Sequence, residues 1–220
     1  MDDPVRTGVT RAGLPTRRSD VQLPRTRTAN PMQLPEIRVT HPEWVRDLVD
    51  FSRTYTTDEA KIRLAISLAR ENVARATGGP FGAAIFQSDS GTLISVGTNS
   101  VVRLGNSTLH AEMVAFMMAE SRLGSFTLSA PGMAAHELYT SCEPCAMCLG
   151  AVLWSGVRRV VYAATRADAA RLDFDEGPVF PESYAYLAER GLEVRGGVLR
   201  GEAAEVFDLY LAQGGRIYNG

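Results

Sequence analysis

Three features are absent or scarce in this sequence, and each excludes or disfavours a class of protein. No run approaches the roughly 18 apolar residues that a membrane-spanning helix needs. Lysine occurs once, at Lys61, beside 22 arginines, and the formal net charge of −2 does not favour nucleic acid or an anionic membrane. Cysteine occurs three times, an odd number that does not suit the disulfide framework of a secreted protein. All three cysteines fall within seven residues, which indicates a metal or redox site in a reducing, cytoplasmic compartment.

The remaining composition is that of an ordinary globular protein, with 45% hydrophobic and 22% charged residues. The stretch 1–40 is the exception, because it holds five of the eleven prolines and seven arginines against four acidic residues. It has no apolar periodicity and no apolar segment of the kind found in a secretory signal. We expect 1–40 to be a disordered Pro/Arg-rich extension and 41–220 to be one folded domain.

From residue 40 onward, signals for helices and strands alternate. A capping box at Thr40 and Glu43 begins a helix to about residue 51, and a second at Thr56 and Glu59 begins one that ends before Gly78. Further helices are predicted near 110–122, 145–154, 182–189 and 202–212, strands near 81–86, 93–96, 137–141, 160–163 and 192–199, and a loop at 99–109. The alternation predicts a three-layer α/β domain with helices on both faces of a sheet.

Two short motifs stand at predicted helix starts. One is His110-Ala111-Glu112 and the other is Pro144-Cys145-Ala146-Met147-Cys148. Either alone is a weak signal, because a lone histidine often packs or caps a helix, and cysteines at this spacing can be redox-active or simply apolar. Together they match H-x-E followed by P-C-x-x-C, which is the signature of zinc-dependent deaminases.

The residue types in these motifs suit a catalytic zinc ion. Such an ion takes three protein ligands and keeps one position for water, and His110, Cys145 and Cys148 supply three ligands. The two cysteines share a helix face, and the helix N-terminus favours their thiolate forms. Zinc lowers the pKa of bound water, so that hydroxide is available near neutral pH. Glu112 is then expected to carry protons from the water to the ring nitrogen and to the amine that leaves as ammonia.

Cys142 allows a second interpretation, because it forms another C-x-x-C with Cys145. We assign the zinc to Cys145 and Cys148, since Pro144 precedes that pair and the apolar helical run continues beyond it. If Cys142 also bound the ion, four ligands would close the site, as in a non-catalytic zinc-binding module. Glu112 argues against that module, because a closed site has no use for a proton shuttle.

The stretch 139–151, Tyr-Thr-Ser-Cys-Glu-Pro-Cys-Ala-Met-Cys-Leu-Gly-Ala, resembles the cytidine deaminase-like superfamily and, within it, bacterial guanine deaminases of that fold. The resemblance runs from about Thr57 to the C-terminus. It implies a three-layer α/β/α fold with a mixed five-stranded sheet, one Zn²⁺ per subunit and a homodimer. It also implies hydrolytic deamination of a purine base, with guanine giving xanthine and ammonia.

The same resemblance assigns six residues to substrate binding: Phe81 in the Gly79-Pro80-Phe81-Gly82 motif, Asn99, Ala111, Trp154, Glu176 and Tyr218. Asn99 stands eleven residues before His110, where the family has an asparagine that binds the base. Glu176 stands where many members have aspartate, so a different ring or a nucleoside stays open. Tyr218 lies in the segment 214–220, which the resemblance implies as a lid that can swap across the dimer.

Deaminases that act on other substrates share these motifs. A guanosine deaminase would need a larger pocket to admit the ribose. Related rings such as s-triazines are further candidate substrates. A tRNA adenosine deaminase should present a basic surface, which the net charge of −5 over residues 41–220 disfavours. The expected partner is therefore a purine or related small heterocycle, with neither nucleic acid nor a membrane involved.

Overall fold

A five-stranded sheet organises the part of the chain from Val39 onward. A computed structural model describes residues 34–219, so most of the predicted extension 1–40 lies outside the described residues. The strands are β1 (Gly82–Gln87), β2 (Leu93–Thr98), β3 (His136–Cys142), β4 (Arg159–Ala164) and β5 (Glu193–Arg195), in the spatial order β2-β1-β3-β4-β5. The pairs β1–β2 and β1–β3 are antiparallel, whereas β3–β4 and β4–β5 are parallel. The predicted mixed five-stranded sheet is confirmed.

Helices cover both faces of this sheet. Those in the described residues are α1 (Val45–Leu48), α2 (Asp58–Ala74), α3 (Val101–Leu104), α4 (Ala111–Leu123), α5 (Ala146–Ser155), α6 (Arg166–Ala170), α7 (Pro181–Glu189) and α8 (Arg200–Ala212). Along β1, Ala84 and Phe86 belong to the core beneath α2 and α8, while Ala83 and Ile85 belong to the core beneath α4 and α5. Since successive strand residues point to opposite faces, the sheet is buried on both sides, which confirms the three-layer architecture.

The start of α2 shows why the sequence forms a helix there. Thr57 is its N-cap, and its side chain accepts a hydrogen bond from the backbone N–H of Ala60 at 3.1 Å. The acidic Asp58 and Glu59 follow in the first turn, where the helix dipole favours negative charge. The cap is therefore one residue beyond the predicted Thr56.

Several other boundaries differ from the predictions. The helix expected up to residue 51 is confined to Val45–Leu48. The last strand is only three residues long, because Gly196 and Gly197 follow it and Gly197 has a φ of +79°. The predicted loop 99–109 contains the one-turn helix α3, and α6 was not predicted, although Thr165 and Asp168 form a capping box at its start.

A charged cluster lies at the end of the sheet where β3 and β4 begin. Lys61 on α2 is only 6% exposed, and its Nζ lies 3.0 Å from Glu137 Oε2. The hydroxyl of Tyr139 donates to Asp58 at 2.6 Å, and Arg159 forms an ion pair with the same carboxylate at 2.7 Å. The cluster ties α2 to the sheet at this end.

The opposite end of β3 positions the candidate site. β3 ends at Cys142, and α5 begins four residues later. The start of α4, which follows β2 and α3 in the chain, lies beside the start of α5. Two helix N-termini therefore meet at one edge of the sheet. None of the helices in the described residues is long and apolar enough to cross a membrane.

Candidate active site

Three potential metal ligands converge where α4 and α5 begin. His110 and Cys145 are the N-cap residues of these helices. The Nδ1 atom of His110 lies 3.5 Å from Cys145 Sγ and 3.6 Å from Cys148 Sγ. A tetrahedral zinc ion with ordinary Zn–N and Zn–S bonds holds its nitrogen and sulfur ligands about 3.6 Å apart. The geometry therefore fits zinc with His110, Cys145 and Cys148 as ligands, as predicted.

Cys145 and Cys142 differ in protonation. A hydrogen bond from the Cys148 thiol, with a further one from His110, lowers the pKa of Cys145 to about 4 despite its burial. Cys145 is therefore a thiolate at neutral pH, which is the form that binds a metal. Burial instead raises the pKa of Cys142, whose thiol donates to the carbonyl oxygen of Thr165 at 3.6 Å. Among the described residues, the ligand cluster does not include Cys142.

Glu112 is buried beside these ligands. Its Oε1 accepts a hydrogen bond from Thr140 Oγ1 at 2.8 Å, and its Oε2 lies 3.5 Å from Cys148 Sγ. Burial raises the pKa of the Glu112 carboxyl. A buried carboxyl beside a metal site is suited to take a proton from bound water and to pass it on to a substrate. Sequence reasoning missed Thr140, although it lies on the strand that leads into the cysteine motif.

A cavity of about 370 Å³ opens over this cluster, a volume suited to a small ligand. His110, Glu112 and Cys145 lie in its lining. Aromatic rings form another part of the wall, with Phe174 contacting Phe81 edge-on at 5.1 Å and Tyr218 edge-on at 5.2 Å. The cavity is also lined by Val101, Ser107, Cys142, Glu143, Ala146, Met147, Asp175, Glu176, Gly177 and Asn219.

Glu176 brings a second carboxyl group to the cavity. Its backbone oxygen accepts a hydrogen bond from the N–H of Ala146, the first residue of α5, at 2.9 Å. Burial, followed by the nearby Cys145, raises the pKa of the Glu176 carboxyl to about 8. A positive charge at the metal site would oppose that shift and favour the carboxylate.

A cluster that the sequence did not reveal supports the segment carrying Glu176. Glu143 accepts a hydrogen bond from the Tyr184 hydroxyl at 2.6 Å and one from the backbone N–H of Arg166 at 3.1 Å. The Arg166 side chain donates to the carbonyl oxygen of Val179 at 3.1 Å. Since Glu143 stands between Cys142 and Cys145, Arg166 connects the cysteine loop to the segment 174–180 that carries Glu176.

The C-terminal segment lies over the cavity of its own chain. Asn219 accepts a hydrogen bond from the Asp175 N–H at 2.9 Å and donates to the Asp173 carbonyl at 2.8 Å. The Tyr218 hydroxyl is buried without a hydrogen-bond partner in the described part of the chain. A Cβ atom at Gly79 would lie 1.9 Å from that hydroxyl, so a side chain there would displace the Tyr218 ring.

The structure separates the six predicted substrate-binding residues into two groups. Phe81, Glu176 and Tyr218 line the cavity. Asn99 is 1% exposed behind the lining, and its Oδ1 accepts a hydrogen bond from the N–H of Val101 at 3.4 Å. Ala111 is buried in the core, and Trp154, 85% exposed near the end of α5, does not reach the cavity of its own chain.

Comparison with known proteins places this site in a family. Residues 55–164, half of the chain, match the family described as the cytidine and deoxycytidylate deaminase zinc-binding region. The guanine deaminase of Bacillus subtilis is 41% identical over 124 residues, which cover 56% of this chain and 75% of that protein.

Solved structures give the same result. Guanine deaminase from Nitrosomonas europaea is 41% identical with a TM-score of 0.77, covering 80% of this chain and 97% of that one. NE0047 in complex with 2,6-diaminopurine is 46% identical with a TM-score of 0.72, covering 76% of this chain and 88% of that one. NE0047 variants with an altered asparagine or an altered glutamate have been solved with 8-azaguanine. The chain belongs to the cytidine and deoxycytidylate deaminase family, and it is a zinc-dependent hydrolytic deaminase.

Proposed function

We propose that this enzyme deaminates guanine, converting guanine and water to xanthine and ammonia. The observation that carries the proposal is one cavity lined both by the metal site with Glu112 and by the buried carboxyl of Glu176. The first group performs hydrolysis and the second recognises a ring rich in N–H donors. Relatives named guanine deaminase and neighbours solved with purine analogues support this assignment.

Glu112 moves the protons in this proposal. His110, Cys145 and Cys148 would hold the zinc ion, which would supply an activated water molecule. Glu112 takes one proton from that water as the water oxygen adds to C2 of guanine, and gives this proton to the ring nitrogen. Glu112 then moves the remaining proton of the added hydroxyl to the amine, which leaves as ammonia while the C2 carbonyl forms. The hydrogen bond from Thr140 holds Oε1, and the other oxygen, Oε2, lies beside Cys148 on the side of the metal site and would face the reacting atoms.

Glu176 is proposed to select guanine. The ring carries its N1–H and 2-amino donors side by side, and a carboxylate can accept from both. Asn99, whose amide can donate and accept, would complete recognition of the purine edge from the segment that leads into the cavity wall. Asn99 and Glu176 are separated by the same number of residues as the two altered positions in the NE0047 variants that bind 8-azaguanine. A site built from buried polar groups rejects rings that leave those groups unpaired.

We also propose a cytoplasmic homodimer. The three cysteines are free thiols, which suits a reducing compartment. Phe126 is 91% exposed and Trp154 is 85% exposed, and the N–H of Leu128 donates to the Ser155 carbonyl at 2.7 Å, which brings their two segments together. Exposed aromatic residues clustered in this way are typical of an interface. Sedimentation of the purified protein tests the dimer, and a monomer at micromolar concentration would contradict it.

An ammonia-release screen tests the substrate. Guanine, guanosine, adenine, adenosine, cytosine, cytidine and ammeline are compared at equal concentration, with Glu112→Gln as the control. We expect guanine to give the largest kcat/KM, and Glu112→Gln to lower its turnover roughly 10²–10⁴-fold, the usual contribution of general acid–base catalysis. A preference for guanosine or ammeline would replace the substrate, and release unaffected by Glu112→Gln would overturn the mechanism.

A further inference from the structure

Asn72 is a buried amide on α2 that joins two segments of the cavity wall. Its Nδ2 donates to the carbonyl oxygen of Gly79 at 2.9 Å and to that of Asn99 at 3.0 Å. Its Oδ1 accepts a hydrogen bond from Thr77 Oγ1 at 2.8 Å. Because carbonyl oxygens only accept, the amide nitrogen must face them, so these bonds fix the orientation of the side chain.

The two carbonyl groups belong to the segments that lead to Phe81 and to Val101, both of which line the cavity. A backbone hydrogen bond from the Asn99 N–H to the Phe81 carbonyl, 3.0 Å long, joins the same segments. A Cβ atom at Gly78 would lie 2.1 Å from the Asn99 oxygen and 2.6 Å from Asn72 Nδ2. The junction is therefore packed too closely to admit a side chain at Gly78.

The junction is supported from the N-terminal side of the domain. The indole Nε1 of Trp44 donates to Thr77 Oγ1 at 3.1 Å, and the same hydroxyl donates to Asn72. Trp44 is 7% exposed. A chain of hydrogen bonds thus runs from Trp44 through Thr77 and Asn72 to the backbone of Asn99.

We propose that Asn72 is a positioning residue for substrate recognition, holding the segments of Phe81 and Asn99 in one relative arrangement. We call the part of the cavity wall formed by Phe81, Glu176 and Tyr218 the recognition side. The hydrogen bonds of Asn72 end at Thr77, Gly79 and Asn99, on this side, rather than at the metal ligands. Without the amide, two buried carbonyl groups lose a partner and the segments can separate. The inference rests on the proposed function for the choice of guanine as the substrate and for the recognition roles of Phe81 and Asn99.

The first test uses Asn72→Ala in the full-length, zinc-loaded enzyme. We expect the KM for guanine to rise roughly tenfold to a hundredfold, the scale for displacements of about 1 Å, while zinc content is unchanged and kcat changes less than KM. Ser95→Ala is the matched control, because Ser95 is also buried and donates to a backbone carbonyl, that of Ala115, at 2.7 Å. Its KM is expected to stay at the wild-type value. An unchanged KM in Asn72→Ala, or an equal rise in Ser95→Ala, would overturn the proposal.

A double-mutant cycle shows whether Asn72 acts through Asn99. Once Asn99→Ala has removed the recognising amide, Asn72→Ala should raise KM by a smaller factor than it does in the wild type. Effects that multiply independently would contradict action through Asn99.

Milder variants cover the case in which Asn72→Ala does not fold. Thr77→Val and Trp44→Phe should raise KM in the same direction, with Thr77→Val the larger, and an unchanged KM in both would overturn the proposal. If wild type prefers another ring, that ring replaces guanine in every assay, so an error in the substrate is distinguished from an error in the role of Asn72.

Discussion

The two sides of the cavity are built in different ways. On the metal side, His110 and Glu112 come from one helix start, and Cys145 and Cys148 come from another. The recognition side is lined by Phe81, Glu176 and Tyr218, which come from three separate segments. Tyr218 stands 137 residues after Phe81 in the sequence. In the proposed assignment the chemistry is therefore set locally by two helix N-termini, whereas substrate choice depends on how distant segments pack. Substitutions on the two sides should therefore have separable effects.

The sharpest separation should come from the cysteines. Cys145→Ser should lose zinc and with it all measurable turnover, because one of the three ligands is removed. Cys142→Ser, the matched variant three residues earlier, should keep one zinc ion per chain. Zinc content by atomic absorption and ammonia release are measured on both proteins. Loss of zinc from Cys142→Ser would show that the assignment of the zinc ligands is wrong.

A substitution on the recognition side should have the opposite pattern. Glu176→Gln should retain zinc but lower kcat/KM for guanine roughly tenfold to a hundredfold, since hydrogen bonds to a charged group contribute about 1.5–3 kcal/mol. The neutral amide also turns an N–H donor toward the N–H groups of the ring. Steady-state kinetics are compared with those of Glu189→Gln, an exposed control on α7. Wild-type kinetics in Glu176→Gln would remove this residue from recognition.

The C-terminal segment should contribute less. Deleting 214–220 removes Tyr218 from the cavity wall and should lower turnover roughly tenfold, equivalent to about 1.4 kcal/mol of lost contact, with zinc content unchanged. Unchanged turnover would exclude a lid.

Mixing the deleted chain with Glu112→Gln chains distinguishes a lid in its own subunit from a swapped one. Activity returns to the mixture only if an intact C-terminus can cover the partner's site. The structure has Tyr218 over the cavity of its own chain, so we expect no recovery.

The smallest effect on catalysis should come from His41, whose protonation changes the stability of the fold rather than the site. Burial, together with the charge of Arg103, lowers the pKa of His41 to about 4. The folded state therefore favours neutral His41, and this contribution is fully present above pH 6.5. It should be lost as pH falls from 6.5 towards 4, by at most about 3 kcal/mol. Urea unfolding of wild type and His41→Asn measures the difference, and parallel pH profiles for the two proteins would contradict it.

The metal side could be predicted from the sequence because each of its two motifs is confined to about one helical turn, with Glu112 two residues after His110 and Cys148 three residues after Cys145. Spacing alone places Cys145 and Cys148 on one face, and the pairing of two motifs specifies the ion. The three-layer fold was predicted for a similar reason, since apolar periodicity reports which faces of a strand or helix are buried.

The recognition side was predicted only in part, because its contacts depend on tertiary packing. No local pattern indicates that Glu143 meets Tyr184, or that Asn72 reaches the Asn99 carbonyl, since these partners are 41 and 27 residues apart. Trp154 was expected at the cavity, but helical periodicity cannot tell whether the end of α5 faces the site or the exterior. The short β5 has a local cause, as the two glycines after Arg195 end the strand early.

The position of Lys61 has a practical consequence for labelling the enzyme. It is the sole lysine of the sequence, and its amine is enclosed by Glu137 and the rings of Phe86 and Tyr139. Amine-reactive dyes and crosslinkers should therefore leave Lys61 unmodified in the folded protein. Modification of Lys61 by such a reagent would then report that the packing of α2 against the sheet has been lost.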